Sequence, residues 1–171
     1  MSGGTTPQWG LILAYWLHML ATIAWIGGLA AVVLLILPAA RKSLPDEAFA
    51  GFLEAVQKRL EPLGWLSLAV LAGTGLFQMS ASPNYQGLLA VGNTWAAAIL
   101  VKHLAFLGMI GVSAFLTWGV LPELRRLALK RARGKETPEA SRLERREILL
   151  LRLNLILGVM ILGLTAVARA A

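Results

Sequence analysis

His18 and His103 are the two histidines of the chain, and each stands inside a long apolar stretch. The first stretch, 9–40, contains no acid and no other base; the second carries Lys102 directly before His103. An imidazole titrates near neutral pH and is also a metal ligand through either ring nitrogen. Ionisable groups within apolar spans mark functional sites, because their burial is costly. The plainer alternative for each histidine is a hydrogen-bonded packing residue. Arg169, near the other end of the chain, completes a small set of cations in apolar surroundings.

The stretches that hold these residues are of a length to cross a bilayer. The chain has 171 residues, of which 57% are hydrophobic, and a mean hydropathy of +0.69. A soluble domain of this size has too little interior to cover that much apolar surface. About 20 apolar residues span the hydrocarbon at 1.5 Å per residue. Four spans are expected, at about 9–40, 62–80, 95–121 and 147–169, forming one all-α, up-and-down transmembrane domain over 1–171. The segment 43–61 is read as an amphipathic helix on the cytoplasmic membrane surface, with Ser43 as its cap and Pro45 in its first turn. Phe49, Phe52, Leu53, Val56 and Leu60 would form its apolar face. Residues 122–146 are read as a basic cytoplasmic loop, with Thr137 and Pro138 opening the last helix. The polar start, 1–8, is expected to be loose. The first apolar run is too long for a signal-peptide core and has no basic region before it.

The net charge of +7 raises nucleic acid as a partner, but the charges cluster at the ends of apolar segments and point to the lipid bilayer instead. The connections 41–61 and 122–146 hold thirteen of the sixteen Lys and Arg residues, whereas 81–93 holds none. Four spans then put both termini outside and the charged connections in the cytoplasm. The chain has no cysteine, which excludes disulfides and thiolate metal sites.

With that orientation, helices one and three run the same way. His18 follows Trp9 by nine residues and His103 follows Trp95 by eight, so both lie about 12 to 14 Å below the outer helix ends. Helices one and three are expected to be diagonal partners in the bundle, which would let two imidazoles hold one iron or copper ion. All nine Asp and Glu residues fall from Asp46 to Glu147, on or near the cytoplasmic side. The outer half therefore has His18, Lys102, His103 and Arg169 without a carboxylate. The propionates of a b-type haem would supply the missing anions, while Lys102 reaching to the interface is the plainer explanation. Ala14, Ala21 and Thr22 beside His18 are expected to leave room for a porphyrin, with Gly73, Gly75, Gly163 and Ala166 thinning other walls. Ile99, Phe106 and Leu107 around His103 are bulky. If the ion is copper, Met79 is the best-placed soft ligand, ahead of Met19 and Met109.

Leu17-His18 with Trp25-Ile26-Gly27-Gly28, Pro38, Val101-Lys102, Pro122 and Asn154 to Gly158 resemble the copper-resistance CopD family. That resemblance implies a bacterial inner-membrane protein of copper uptake or tolerance. The His18–Trp25 spacing and Lys102 also resemble the HemJ protoporphyrinogen oxidase family, which would link His18 and Lys102 to haem binding and activity. Beyond the tryptophan the HemJ pattern is replaced by Gly27-Gly28 and the run ending at Pro38. The expected function is a bis-His haem protein serving electron transfer or a larger respiratory complex. The alternatives are a copper protein using His18, His103 and Met79, a HemJ-like oxidase, and a cofactor-free subunit. A homo-oligomer is a further possible assembly, and no catalytic residue set is legible.

Overall fold

The computed structural model describes residues 8–85, 87–89, 91–132 and 139–171. They form four long antiparallel helices with no strand among them: α1 (Gln8–Ser43), α2 (Asp46–Ser80), α3 (94–132) and α4 (Ala140–Ala170). Each is long and apolar enough to cross a membrane, so the chain is an all-α, four-helix membrane bundle. At 1.5 Å per residue the 36 residues of α1 run about 54 Å, well beyond a hydrocarbon core of about 30 Å. The surplus lies where the charges are, and the bundle therefore continues past the apolar zone at its charged end.

That extension differs from the expected one. Residues 46–61 are the first half of α2, continuous through Pro62, and not a separate helix on the membrane surface. Phe49, Leu53 and Leu60 are buried in the bundle's own core, with Phe52 and Val56 packed against it. A proline inside a helix removes one backbone hydrogen bond and disfavours continuation. Here the packed face runs on in register from Leu60 to Gly64 and Leu68, and that burial overrides the local preference. Ser43 closes α1 and does not cap α2, because Pro45 pushes Leu44 out of helical geometry, to φ −112° and ψ 140°.

Proline is accommodated in α1 and α3 by another device. Pro38 and Pro122 each come two residues after a widened π-type turn, Ala31–Ile36 and Leu116–Val120. Such turns break the regular ladder at the point where proline has no N–H to give. The helix consequently passes Pro122 and reaches Ala132, so that 122–132 is helix and not loop. The start expected at Thr137 and Pro138 lies outside the described residues; α4 begins at Ala140. At the opposite end Asn93 caps α3, its side-chain oxygen accepting from the Ala96 N–H at 2.7 Å.

The helices pack as two pairs, α1 with α2 and α3 with α4. The pairs join where α4 meets the π-type turns of α1, and through side chains of α2 and α3. At the second junction Trp65 Nε1 donates to Thr117 Oγ1 at 3.3 Å and the Trp65 ring stacks on Trp118 at 5.3 Å. Neighbours are thus 1–2, 2–3, 3–4 and 4–1, and α1 and α3 are diagonal. Two glycines allow the close approaches. A Cβ on Gly64 would overlap the buried Trp25 ring, and one on Gly158 would stand 3.2 Å from Ile26. Trp25, Ile26, Leu29, Val33, Leu53, Met109 and Leu151 make the centre of the core.

Candidate metal site in the uncharged half

His18 lies on the face of α1 that packs against α2. Its Nδ1 is 2.8 Å from Thr74 Oγ1, and that hydroxyl is itself 2.6 Å from the carbonyl oxygen of Val70. A carbonyl only accepts, so the Thr74 proton points to Val70. Thr74 Oγ1 must then accept from His18 Nδ1–H. The network fixes the tautomer and leaves His18 Nε2 as a free lone pair.

His103 reaches the same state by a different route. Its Nδ1 is 2.7 Å from the carbonyl oxygen of Ile99, one turn earlier on α3. That contact is possible only with Nδ1 protonated, so in the neutral ring Nε2 carries the lone pair. Holding one ring N–H on a backbone or side-chain acceptor orients a metal-binding histidine and raises the basicity of its other nitrogen. Both histidines are set up in this way.

His18 lies ten residues into α1 and His103 nine into α3, which places them about 14 to 15 Å from the uncharged ends of their helices. Lys102 is within electrostatic reach of His18 across the bundle, and Arg169 is within reach of Lys102. The Arg169 guanidinium lies over the Tyr15 ring at 5.0 Å, a cation–π contact that ties the end of α4 to α1. His18, Lys102 and Arg169 therefore gather at one end of the bundle, and His103 follows Lys102 on α3.

The three methionines separate clearly. Met19 is exposed toward the lipid-facing side, and Met109 is buried in the apolar core. Met79 is buried near the uncharged end of α2, one helical turn beyond Gly75. A thioether there is suited to a soft metal ion.

The room expected for a porphyrin beside His18 is already filled. Ala14 and Ala21 are buried, and Gln78 Nε2 of α2 donates to the Ala14 carbonyl at 3.2 Å. Thr22 folds back to donate to the His18 carbonyl at 2.8 Å. A Cβ on Gly75 would stand 3.5 Å from His18 Cε1, so α2 is in van der Waals contact with the ring. Gly73, Gly163 and Ala166 are exposed and line no wall against the histidine. Beside His103, Phe106 packs against the core. This packing suits an ion better than a flat macrocycle. Among the described residues no group of three or more His, Asp and Glu side chains converges on one point. A metal here would rest on imidazole and thioether.

Thr74 and Gln78 were not singled out from the sequence, although they stand four apart in an apolar helix. That spacing puts two polar side chains on one helical face, which is a legible signal.

No curated protein and no solved structure matches the chain. The profile of the family described as copper resistance protein D, CopD, matches residues 54–168, which takes in α3, nearly all of α4 and most of α2. The match covers about two thirds of the sequence, and the chain belongs to the CopD family.

Proposed function

We propose that this is a copper-handling protein of the bacterial inner membrane, in which His18 Nε2 and His103 Nε2 hold a copper ion and Met79 supplies a soft third ligand. The observation that carries the reading is the state of the histidines. Each has its Nδ1–H committed to an acceptor, and each keeps Nε2 free at a similar depth on diagonal helices. Imidazole with thioether is a donor set that suits copper, and it needs no carboxylate. Membership of the copper-resistance family supports the same ion. By the distribution of Lys and Arg, both termini face outside, so the site opens toward the outer face.

Haem is the second reading. It is favoured by one observation, the absence of any acid from the half that holds Lys102 and Arg169. Propionates would complement those cations, with iron between the two imidazoles. The tight packing of α2 around His18 weighs against it.

One purified sample separates the two. We expect close to one copper per chain after loading and dialysis, with occupancy collapsing in His18→Ala and in His103→Ala. A reduced-minus-oxidised haem spectrum at stoichiometric level, lost in the same variants, would replace copper by haem. Neither copper nor haem would leave a cofactor-free membrane subunit.

A further inference from the structure

The outward face of α4 carries a row of arginines that descends into the apolar span. Ala140, Glu147, Leu151, Asn154 and Gly158 form the buried face of that helix. Arg142, Arg145, Leu149, Arg152 and Ile156 recur at intervals of three or four residues, and all are exposed. At 3.6 residues per turn this row stands opposite the buried face, so it looks away from the bundle. Leu153, Val159 and Met160 continue the same outward surface as bare hydrocarbon.

Arg152 is the unusual member of the row. It stands seventeen residues before Arg169 on the same helix. At 1.5 Å per residue that is about 26 Å, a little less than a hydrocarbon core of about 30 Å. Two cations so spaced mark the two boundaries of the core, with Arg152 at the charged end. The Cα–Cβ bonds of a helix tilt toward its N-terminus, which for α4 is the charged end. Arg152 therefore extends its guanidinium out of the hydrocarbon, to the level of the lipid phosphates.

The protein supplies no anion there. Among the described residues, Arg142, Arg145 and Arg152 make no ion pair, hydrogen bond or ring contact. Other arginines of this end are engaged: Arg41 lies over Phe49 at 4.6 Å and Arg146 over Phe115 at 4.8 Å. Arg125 pairs with Glu61 at 3.6 Å, and Arg126 with Glu123 at 2.9 Å. Lys42, Lys58, Arg59 and Lys130 are exposed on the other three helices, in the extension where water solvates them. The acids of α4 lie off the row. Glu147 is on the buried face, Glu144 is already engaged, and Glu139 stands at the aqueous start of the helix. A guanidinium facing lipid without an anion is costly, and a phosphodiester supplies the anion in a geometry that fits its fork.

We propose that this face of α4 binds an anionic phospholipid: Arg145 and Arg152 hold its phosphate beside Leu149, Arg142 meets its headgroup, and an acyl chain lies along Leu153, Ile156 and Met160. Arg145 is two turns nearer the charged end than Arg152, about 11 Å along the axis, so one phosphate between them is within reach of both long side chains. Charge complementarity selects the occupant. A zwitterionic lipid brings its own cation next to Arg142, whereas an anionic lipid does not. A soluble anion would leave the apolar half of the face unused. The site is independent of the metal held in the uncharged half.

Native mass spectrometry on the full chain in detergent tests this, with phosphatidylglycerol and phosphatidylcholine of matched acyl chains added separately. Each arginine at a lipid phosphate contributes about fivefold in affinity. We expect phosphatidylglycerol to bind more tightly than phosphatidylcholine by about tenfold or more. Arg152→Gln should remove about fivefold of that preference, and Arg145→Gln combined with Arg152→Gln should remove most of it. Lys58→Gln on α2 should leave it unchanged. Helicity recorded on each variant keeps misfolding out of the comparison. Equal retention of the two lipids, or a preference that persists in the double variant, would overturn the proposal. So would a preference that Lys58→Gln lowers as much as Arg152→Gln does, because that is diffuse attraction to the whole charged end. Displacement of phosphatidylglycerol by equimolar inorganic phosphate would replace the lipid by a soluble anion and overturn it equally.

Discussion

Thr74→Val is the most informative single change in the uncharged half. It keeps the shape of the side chain and removes the oxygen that receives His18 Nδ1–H at 2.8 Å. The N–H is left without a partner in a half-buried site, and the imidazole loses the contact that fixes its tautomer. Loss of such an outer-shell partner lowers metal affinity by about 10- to 100-fold, which is about 1.4 to 2.8 kcal/mol. Thr74→Ser restores the acceptor and should restore affinity to within a few-fold of the native value. The assay is a copper titration against a competing chelator in detergent, with helicity recorded on the same samples. A correctly folded Thr74→Val variant that binds copper as tightly as the native protein would refute the reasoning. So would a Thr74→Ser variant as weak as Thr74→Val, because a tautomer lock needs only the hydroxyl.

Two further outcomes follow from packing and hydrogen bonding. Gly64→Ala drives a Cβ into the Trp25 ring, so we expect a loss of about 1 to 3 kcal/mol and a lower melting temperature, read by thermal unfolding in detergent. Asn154 is fully buried, donates to Ser113 Oγ at 2.9 Å, and leaves its Oδ1 without a partner. Asn154→Ala should cost about 1 to 3 kcal/mol in that assay, while Asn154→Leu paired with Ser113→Ala should cost far less.

The four spans and the charge asymmetry were legible because each rests on a pattern within one segment: apolar length for a helix, clustered Lys and Arg for its end. The continuity of α2 through Pro62 was not. Whether a proline interrupts a helix depends on what the flanking turns bury, and Phe49, Leu53 and Leu60 bury against other helices. The same holds for Pro122, where a π-type turn absorbs the missing N–H. Of the candidate site, His18, Lys102, His103 and Arg169 were visible as ionisable groups in apolar surroundings. Thr74, which sets the tautomer of His18, lies 56 residues away in sequence. Small residues were misread for a related reason. Ala14 and Ala21 signal close approach of something, and only the fold tells that it is α2 and not a ligand.

The central claim is that the free Nε2 atoms of His18 and His103 bind copper together. X-ray absorption at the copper edge, on purified protein loaded with one equivalent, tests it most directly. The account predicts nitrogen first-shell ligands with the outer-shell scattering of two imidazoles, falling to one imidazole in His18→Ala and in His103→Ala. Sulfur scattering lost in Met79→Leu would add the third ligand. A copper spectrum without imidazole scattering, or one unchanged in both histidine variants, would contradict it.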